Sequence, residues 1–288
     1  MPTRPAPAKD TGRKRRAGPT LPADAGAASP YRPDAAHPLR VRARRLAADT
    51  RIEPHSHAWA QVAYSATGIL RVTALQHTYI VPPSRAVWIP PGIDHVVTVV
   101  EDAELRTLYL RLPAGRAGPG AAATAAPEWQ RCRVLEVSPL LRELVEGLHR
   151  LPDAPCAERE RCLVALVHDE LLRARPLPLG VGLPADKRLR ALCEAVLDDP
   201  ARHATLQGWA AEAGASVRTV ARLFRQELGT GFAAWRQQVL LAQALSMAAR
   251  RRPMAHIAAA LGYASPSAFS AMVRRSVGMP PSRFFAAG

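Results

Sequence analysis

Two stretches near the C-terminal end share an order of turn and cap residues that few folds satisfy. In the first, Trp209 to Gly229, a short apolar helix pattern runs through Gly214 to Ser216 and then into a helix pattern closed by Gly229. In the second, Ile257 to Gly278, the same order runs through Gly262 and Ser265 to Gly278. In both copies the glycine comes thirteen residues after the serine, with apolar residues at matching positions. A serine hydroxyl suits an N-cap because it accepts from an amide that the first turn leaves unpaired, and glycine suits the left-handed residue that ends a helix. Two helix-turn-helix units in one chain are the expectation. In such a unit the first helix braces the second, and the second lies in the DNA major groove.

The flanking patterns fit the same domain. Helices are expected around 186–197, ended near Asp199-Pro200, at 206–213 and 216–228, and at 232–250, where Trp235, Val239, Leu240, Ala242 and Leu245 supply a buried face. Further helices are expected at 254–261 and 266–277, with a closing element at 280–285. The long helix reads as a rigid spacer, so two reading helices would enter successive major grooves about 10 bp apart, with the DNA bending to meet both. On the first reading helix Val217, Arg218, Thr219 and Arg222 are expected to face DNA, because Val220, Leu223 and Phe224 form the inward stripe. Arg218 and Arg222 lie four apart and suit bidentate contact with guanine, and Arg225 suits phosphate. On the second, Ser267 and Ser270 face outward, and Arg274 and Arg275 suit the backbone.

Charge supports this placement. The formal net charge of +15 is divided as about +5 over residues 1–40, +2 over 41–183 and +8 over 184–288. A basic C-terminal third is the electrostatic footprint of a nucleic-acid binder, although an arginine- and alanine-rich composition also reflects a genome rich in G and C. Residues 1–37, with Pro, Ala, Gly and the run Arg13 to Arg16, read as a disordered basic tail. No run of 18 apolar residues and no apolar leader occur, so no membrane partner is expected. Cys132, Cys156, Cys162 and Cys193 form no Cys-x-x-Cys pair and read as reduced thiols in the cytoplasm.

The N-terminal part reads differently. Short strands at 39–46, 61–65, 68–75, 77–81, 86–89, 95–100 and 105–110, punctuated by Pro and Gly, suggest a small antiparallel β-barrel or jelly roll over 38–112. A loose connection over 113–127 and two amphipathic helices at 139–151 and 157–173 follow, the pair offering a surface for a homodimer. The Pro- and Gly-rich stretch 176–184 reads as the linker to a DNA-binding domain over 185–288. The fold class is therefore α+β: a β-barrel domain followed by an all-α domain with two helix-turn-helix units.

Residues 185–288 resemble the DNA-binding domain of the AraC/XylS family of bacterial transcription regulators. The resemblance rests on Ile257-Ala, Leu261-Gly-Tyr263, Ser265, Ser267 and Phe269-Ser270, then Arg274-Arg275 and Gly278-Met-Pro-Pro-Ser-Arg-Phe284. The family pattern has arginine after Phe-Ser where this chain has Ala271, whereas the first copy keeps Arg222. The first helix is therefore expected to read bases, and the second to supply phosphate contacts and bending. In the barrel, His55-Ser-His57 followed by Gln61 and Gly68, and later Pro90 to His95, resembles the two cupin motifs. That likeness implies a divalent transition metal held by His55, His57, Gln61 and His95, with His55 and His57 on one face of a strand. Gln61 stands where cupins carry glutamate, so a metal-free small-molecule pocket is the alternative, with Trp59, Tyr64 and Trp88 as wall residues. Together the resemblances imply a regulator that is not an enzyme, with operator DNA, a small-molecule effector and RNA polymerase as partners. A metal-dependent cupin enzyme fused to a DNA-binding module, and a nonspecific architectural DNA protein, are the competing readings.

Overall fold

The structure, a computed structural model, describes residues 18–23, 29–75, 77–112, 127–152, 156–177 and 179–285. Twelve strands among them form two facing sheets. These strands are β1 (Thr20–Leu21), β2 (Leu39–Leu46), β3 (Arg51–His55), β4 (Ala60–Thr67), β5 (Leu70–Ala74), β6 (His77–Val81), β7 (Arg85–Ile89), β8 (His95–Val99), β9 (Ala103–Leu110), β10 (Arg133–Glu136), β11 (Pro176–Leu177) and β12 (Gly180–Gly182). One sheet runs β1-β3-β8-β5-β6-β12 and the other β11-β10-β7-β4-β9-β2. They face each other as a jelly-roll-like sandwich rather than a barrel closed by a continuous ladder. Between them lies an apolar core of residues such as Ile52, Ala63, Val72, Val97 and Leu105.

The second sheet is covered on both faces, which is why β4 is buried from Ala60 through Ser65. Its outer face packs on helices α1 (Pro139–His149) and α2 (Ala157–Arg173), where Val62, Tyr64, Trp88 and Leu108 meet Leu141, Leu144, Val145, Val167 and Leu171. Ser138 caps α1 by accepting from the Leu141 amide. On α2 Val164, Val167 and Leu171 are buried, whereas Leu166 is 45% exposed, and on α1 Leu140 is 50% exposed.

The C-terminal domain comprises α3 (Lys187–Asp198), α4 (Leu206–Glu212), α5 (Val217–Leu228), α6 (Phe232–Ala249), α7 (Met254–Ala260), α8 (Pro266–Val277) and α9 (Pro281–Phe285). Every helix expected there forms. The central α6 carries Trp235, Val239, Leu240 and Leu245, and both helix-turn-helix units pack on it.

Three stretches differ from expectation. Within the expected tail, β1 pairs parallel with β3, and Tyr31 packs on Tyr109; residues 1–17 and 24–28 lie outside the described residues. The barrel extends past residue 112, because β10 adds to β7; residues 113–126 of the loose connection lie outside the described residues. The expected linker is built into both sheets: β11 pairs with β10, and β12 pairs with β6. Its Leu177, Leu179, Val181 and Leu183 are all buried, joining the core of the DNA-binding domain. Each such burial is worth roughly 1.5–3 kcal/mol, and proline lowers the entropy that ordering removes.

Candidate functional site

The reading helices take their position from local caps. α4 ends at Gly214 (φ 62°), with the Gly214 amide bonded to the Ala211 carbonyl and the Ala215 amide to Ala210, the two bonds of a Schellman turn. α7 ends the same way at Gly262 (φ 78°), through Ala259 and Ala258. Nothing lies within 4 Å of where a Cβ would sit on either glycine, so the left-handed backbone, not space, demands glycine there. Ser216 then caps α5 by accepting from the Thr219 amide, and Ser265 caps α8 by accepting from Ala268. The sequence places one more residue between glycine and serine in the second turn than in the first.

Once the caps are aligned, the two outward faces are unlike. Val217, Arg218, Thr219 and Arg222 are exposed on α5, while Val220 and Phe224 are buried against α6. The positions matching Arg218 and Arg222 on α8 are Ser267 and Ala271, both exposed, with Ser270 half-buried beside them. The positions matching Arg225 and Gln226 are Arg274 and Arg275, so the basic end of the helix recurs where the arginines of the first turns do not. Arg222 donates to Gln226 at 2.6 Å, which holds its guanidinium along the helix face. Arg225 and Arg275 both border a cleft of about 520 Å³ between the two units, floored by Phe232 and Leu240 of α6. All nine residues expected to meet DNA thus lie on the reading helices, and none is buried.

The N-terminal domain gathers its histidines at one end of the sandwich. His55 ends β3 and pairs in register with His95 at the start of β8. His57 lies two residues beyond the strand, so a loop brings it to the cluster, and shared strand parity with His55 does not hold. One ring nitrogen from each of the three lies within 4.8 Å of the others. The hydrogen bonds set the tautomers. Nδ1 of His55 faces the Glu53 carbonyl at 2.7 Å, Nδ1 of His57 that of Trp59 at 2.7 Å, and Nδ1 of His95 that of Ile93 at 2.9 Å. For His55 and His95 the neutral ring then carries its proton on Nδ1 and its lone pair on Nε2, whereas both nitrogens of His57 face oxygens, so its Nε2 is free to ligate only once Gln61 turns away. Burial pushes His95 down to about 3, and burial also lowers His55, so both rings are neutral near pH 7. Nε2 of His95 is buried without a partner, and Nε2 of His57 meets Gln61 Oε1 at 2.7 Å. Three pinned imidazoles, one with an orphaned Nε2, fit a first-row transition metal with Gln61 alongside.

Of the expected wall residues only Trp59 stands at this site, stacked on His57 at 5.2 Å. Tyr64 and Trp88 project from the other face of the sheet into the helix-facing core, and the Trp88 indole donates to the Trp129 carbonyl. Strand parity is the reason: Val62 and Tyr64 alternate with Gln61 and Ala63, and Trp88 pairs with Val62. A wall residue not expected is Tyr109, whose ring lies 5.9 Å from His57 and 6.4 Å from Trp59. Its pairing with Gln61 across the sheet was the signal, readable only once the register is known.

A two-sheet sensor with an enclosed polar cluster, joined to a duplicated helix-turn-helix, defines a DNA-binding regulator with a ligand-binding domain. Residues 37–174 match the AraC-like ligand binding domain and residues 209–287 match a helix-turn-helix domain. The chain is 30% identical to the HTH-type transcriptional regulator NimR of Escherichia coli, over 89% of this chain and 91% of that one. It belongs to the AraC family of transcriptional regulators. It is also 30% identical to the arabinose operon regulatory protein of Salmonella typhimurium, over 40% of this chain and 43% of that one. Among solved structures, ToxT from Vibrio cholerae aligns over 86% of this chain and 98% of its own at 9% identity, with a TM-score of 0.35. Among the described residues no helix is long and apolar enough to cross a membrane.

Proposed function

We propose that the first helix-turn-helix selects the operator sequence, and that occupancy of the histidine end of the sensor domain sets how well it does so. The observation that carries this reading is the unequal dress of two otherwise matched helices: Arg218 and Arg222 on α5 against Ser267 and Ala271 on α8. Arginine in the major groove discriminates guanine bidentately, whereas Ser267, Ser270, Val217 and Thr219 add shorter contacts. Arg225, Arg274 and Arg275 serve phosphates and fix the register. Coupling requires an effector that binds more tightly to one arrangement of the two domains than to the other.

His55, His57 and His95 would hold a divalent transition metal through Nε2, with Gln61 as a neutral neighbour. Bound there, such an ion would supply a Lewis-acidic anchor for a polar effector. Among the described residues the group that could hold the ion is made of histidines alone, and we read the domain as a sensor rather than an enzyme. Leu140 and Leu166, exposed on α1 and α2, support a homodimer through these helices, and contact with RNA polymerase in the cytoplasm completes the reading.

The experiment is selection of genomic fragments by the purified protein at fixed salt, metal-free and with zinc restored. The expected outcome is a motif of two elements about 10 bp apart, one sharply specified and one weakly. Two equally sharp elements would refute the division of labour between the helices, and failure to select any motif in either state would refute the sequence-specific reading.

A further inference from the structure

The cleft between the two helix-turn-helix units is built from opposite flanks of their reading helices. At about 100° per residue, Ala221 and Arg225 fall to one side of Arg218 and Arg222 on α5, whereas Met272 and Arg275 fall to the other side of Ser267 and Ala271 on α8. All four flanking residues line the same cleft of about 520 Å³, so the units stand side by side in one orientation, with the cleft between their reading faces. Helices set in successive major grooves have one minor groove between them. The cleft therefore lies over the phosphodiester strands that border that groove.

The charge around it has a single sign. Arg225, Arg236 and Arg275 enter from α5, α6 and α8, and among the described residues that line the cleft none is acidic. The side chains of Arg225 and Arg275 form no ion pair or hydrogen bond among the described residues. Arg236 is held in place, its Nε and Nη2 both donating to the Pro200 carbonyl at 2.9 and 2.7 Å, which leaves Nη1 without an acceptor among the described residues. Tyr263, in the turn before α8, lies in the field of Arg236 and Arg275, and burial raises its phenol above the ordinary value, so the hydroxyl stays a donor. The spacer helix α6 begins in the cleft at Gly231 and Phe232, and no side chain caps it, so its first amides add the positive end of the helix. Like charges gathered this way repel, and an anion seated among them removes that cost.

We propose that this cleft seats one phosphodiester strand of the operator between its two elements, with the Arg236 guanidinium and the Tyr263 hydroxyl donating to its phosphates beside Arg225 and Arg275. Arg225 and Arg275 each belong to one reading helix. Arg236, on the spacer helix, and Tyr263, in the second turn, join them into a single seat. Neither reads a base. They fix the path of the strand from one major groove to the next, and with it the distance between the elements. The proposal rests on the reading of two elements about one turn apart.

The test uses the full-length protein and the duplex recovered by the genomic selection, with single uncharged methylphosphonates placed in turn along each strand between the two elements. The parent is expected to lose about tenfold at one or two adjacent positions on one strand, and little elsewhere in that interval. Arg236→Gln and Tyr263→Phe are each expected to weaken the unmodified duplex by roughly three- to tenfold, to leave base preference in both elements unchanged, and to add little to the loss at those positions. Tyr263→Phe keeps the ring, and so carries the test should Arg236→Gln, which also releases the Pro200 carbonyl, fail to fold. Arg173→Gln, which removes an exposed charge from α2, keeps the parent's pattern. Uniform tolerance of methylphosphonates between the elements, variant losses that simply add to those of the modified duplex, or an altered base preference overturns the proposal. Should selection recover no motif, the two-element reading falls, and the salt dependence of binding to a random duplex of about three turns still tests the seat. Arg236→Gln should then lower the slope by about one, and an unchanged slope overturns the seat as well.

Discussion

At the scale of single residues, function turns on which side chains answer to a partner and which to the fold. Arg222 and Arg225 are both exposed on α5, and the proposed reading gives the first to bases and the second to phosphate. Arg222→Ala is expected to lose preference at one base pair by about 1–3 kcal/mol, whereas Arg225→Ala weakens all sequences alike and lowers the salt slope by about one; competition binding against single-base operator variants separates them. In the sensor, His95→Ala is expected to lower zinc affinity by roughly 100-fold or more, read by chelator competition, because it removes the buried Nε2 that lacks any other partner. An unchanged affinity would place the metal elsewhere. That the three histidines and Gln61 lie together, and that the arginines of α5 are exposed, was legible in the sequence because the likeness to cupin and helix-turn-helix motifs fixes their spacing. Tyr64 and Trp88 fall on the helix-packed face and Tyr109 joins the histidine end, because whether a strand residue faces in or out depends on its ladder partner. That partner lies tens of residues away.

At the scale of elements, the duplicated units stand on small local devices. Ser216 and Ser265 make the same bond to the amide three residues on. Ser216→Ala and Ser265→Ala are each expected to cost about 1 kcal/mol, and thermal melts should show the two losses to be equal and additive. Ahead of α5, Glu212 accepts from His203 at 2.7 Å and from Arg202 at 2.8 Å. The His203 bond first, then the attraction of Arg202, holds the Glu212 carboxyl below the ordinary range. A depressed carboxylate contributes its stability above its unfolded value, near 4.3, and loses it as pH falls through the folded one. Glu212→Gln is therefore expected to lower Tm slightly at neutral pH, with the gap to the parent closing as pH falls below the ordinary carboxylate range. Helices with such caps were legible to within a residue or two, because capping is written within a few positions of itself. The strand β3 was not, since Glu53-Pro54 interrupts its pattern, and β12 was hidden by glycine and proline even though Leu177, Leu179, Val181 and Leu183 alternate as a strand should.

At the scale of the whole molecule, sensor and reader share one continuous apolar core, running from Ile69 and Ile80 of the sandwich through Val181 to Leu197 and Trp235. Two ion pairs span the junction, Arg71 with Asp198 at 2.9 Å and Arg250 with Glu101. They flank a cavity of about 260 Å³ lined by Val100, Leu197 and Met247, among others. The double variant Asp198→Asn with Arg250→Gln is expected to widen the range of spacings between operator elements that the protein tolerates. It should also raise the radius of gyration in solution scattering, while each domain melts as before. A scattering profile identical to the parent's would show that the core alone fixes the arrangement. The indole of Trp235 donates to the Gly182 carbonyl at 2.7 Å, and Gly182 itself pairs with His77 on β6. One peptide thus serves the edge of the sensor sheet and the first turn of the spacer helix at once. Chimaeras that exchange sensors by cutting in the proline-rich stretch would sever that shared peptide from one owner or the other. The unit that can be transplanted intact is therefore not the reader from residue 185 onward, but the reader together with the sheet edge from which it hangs.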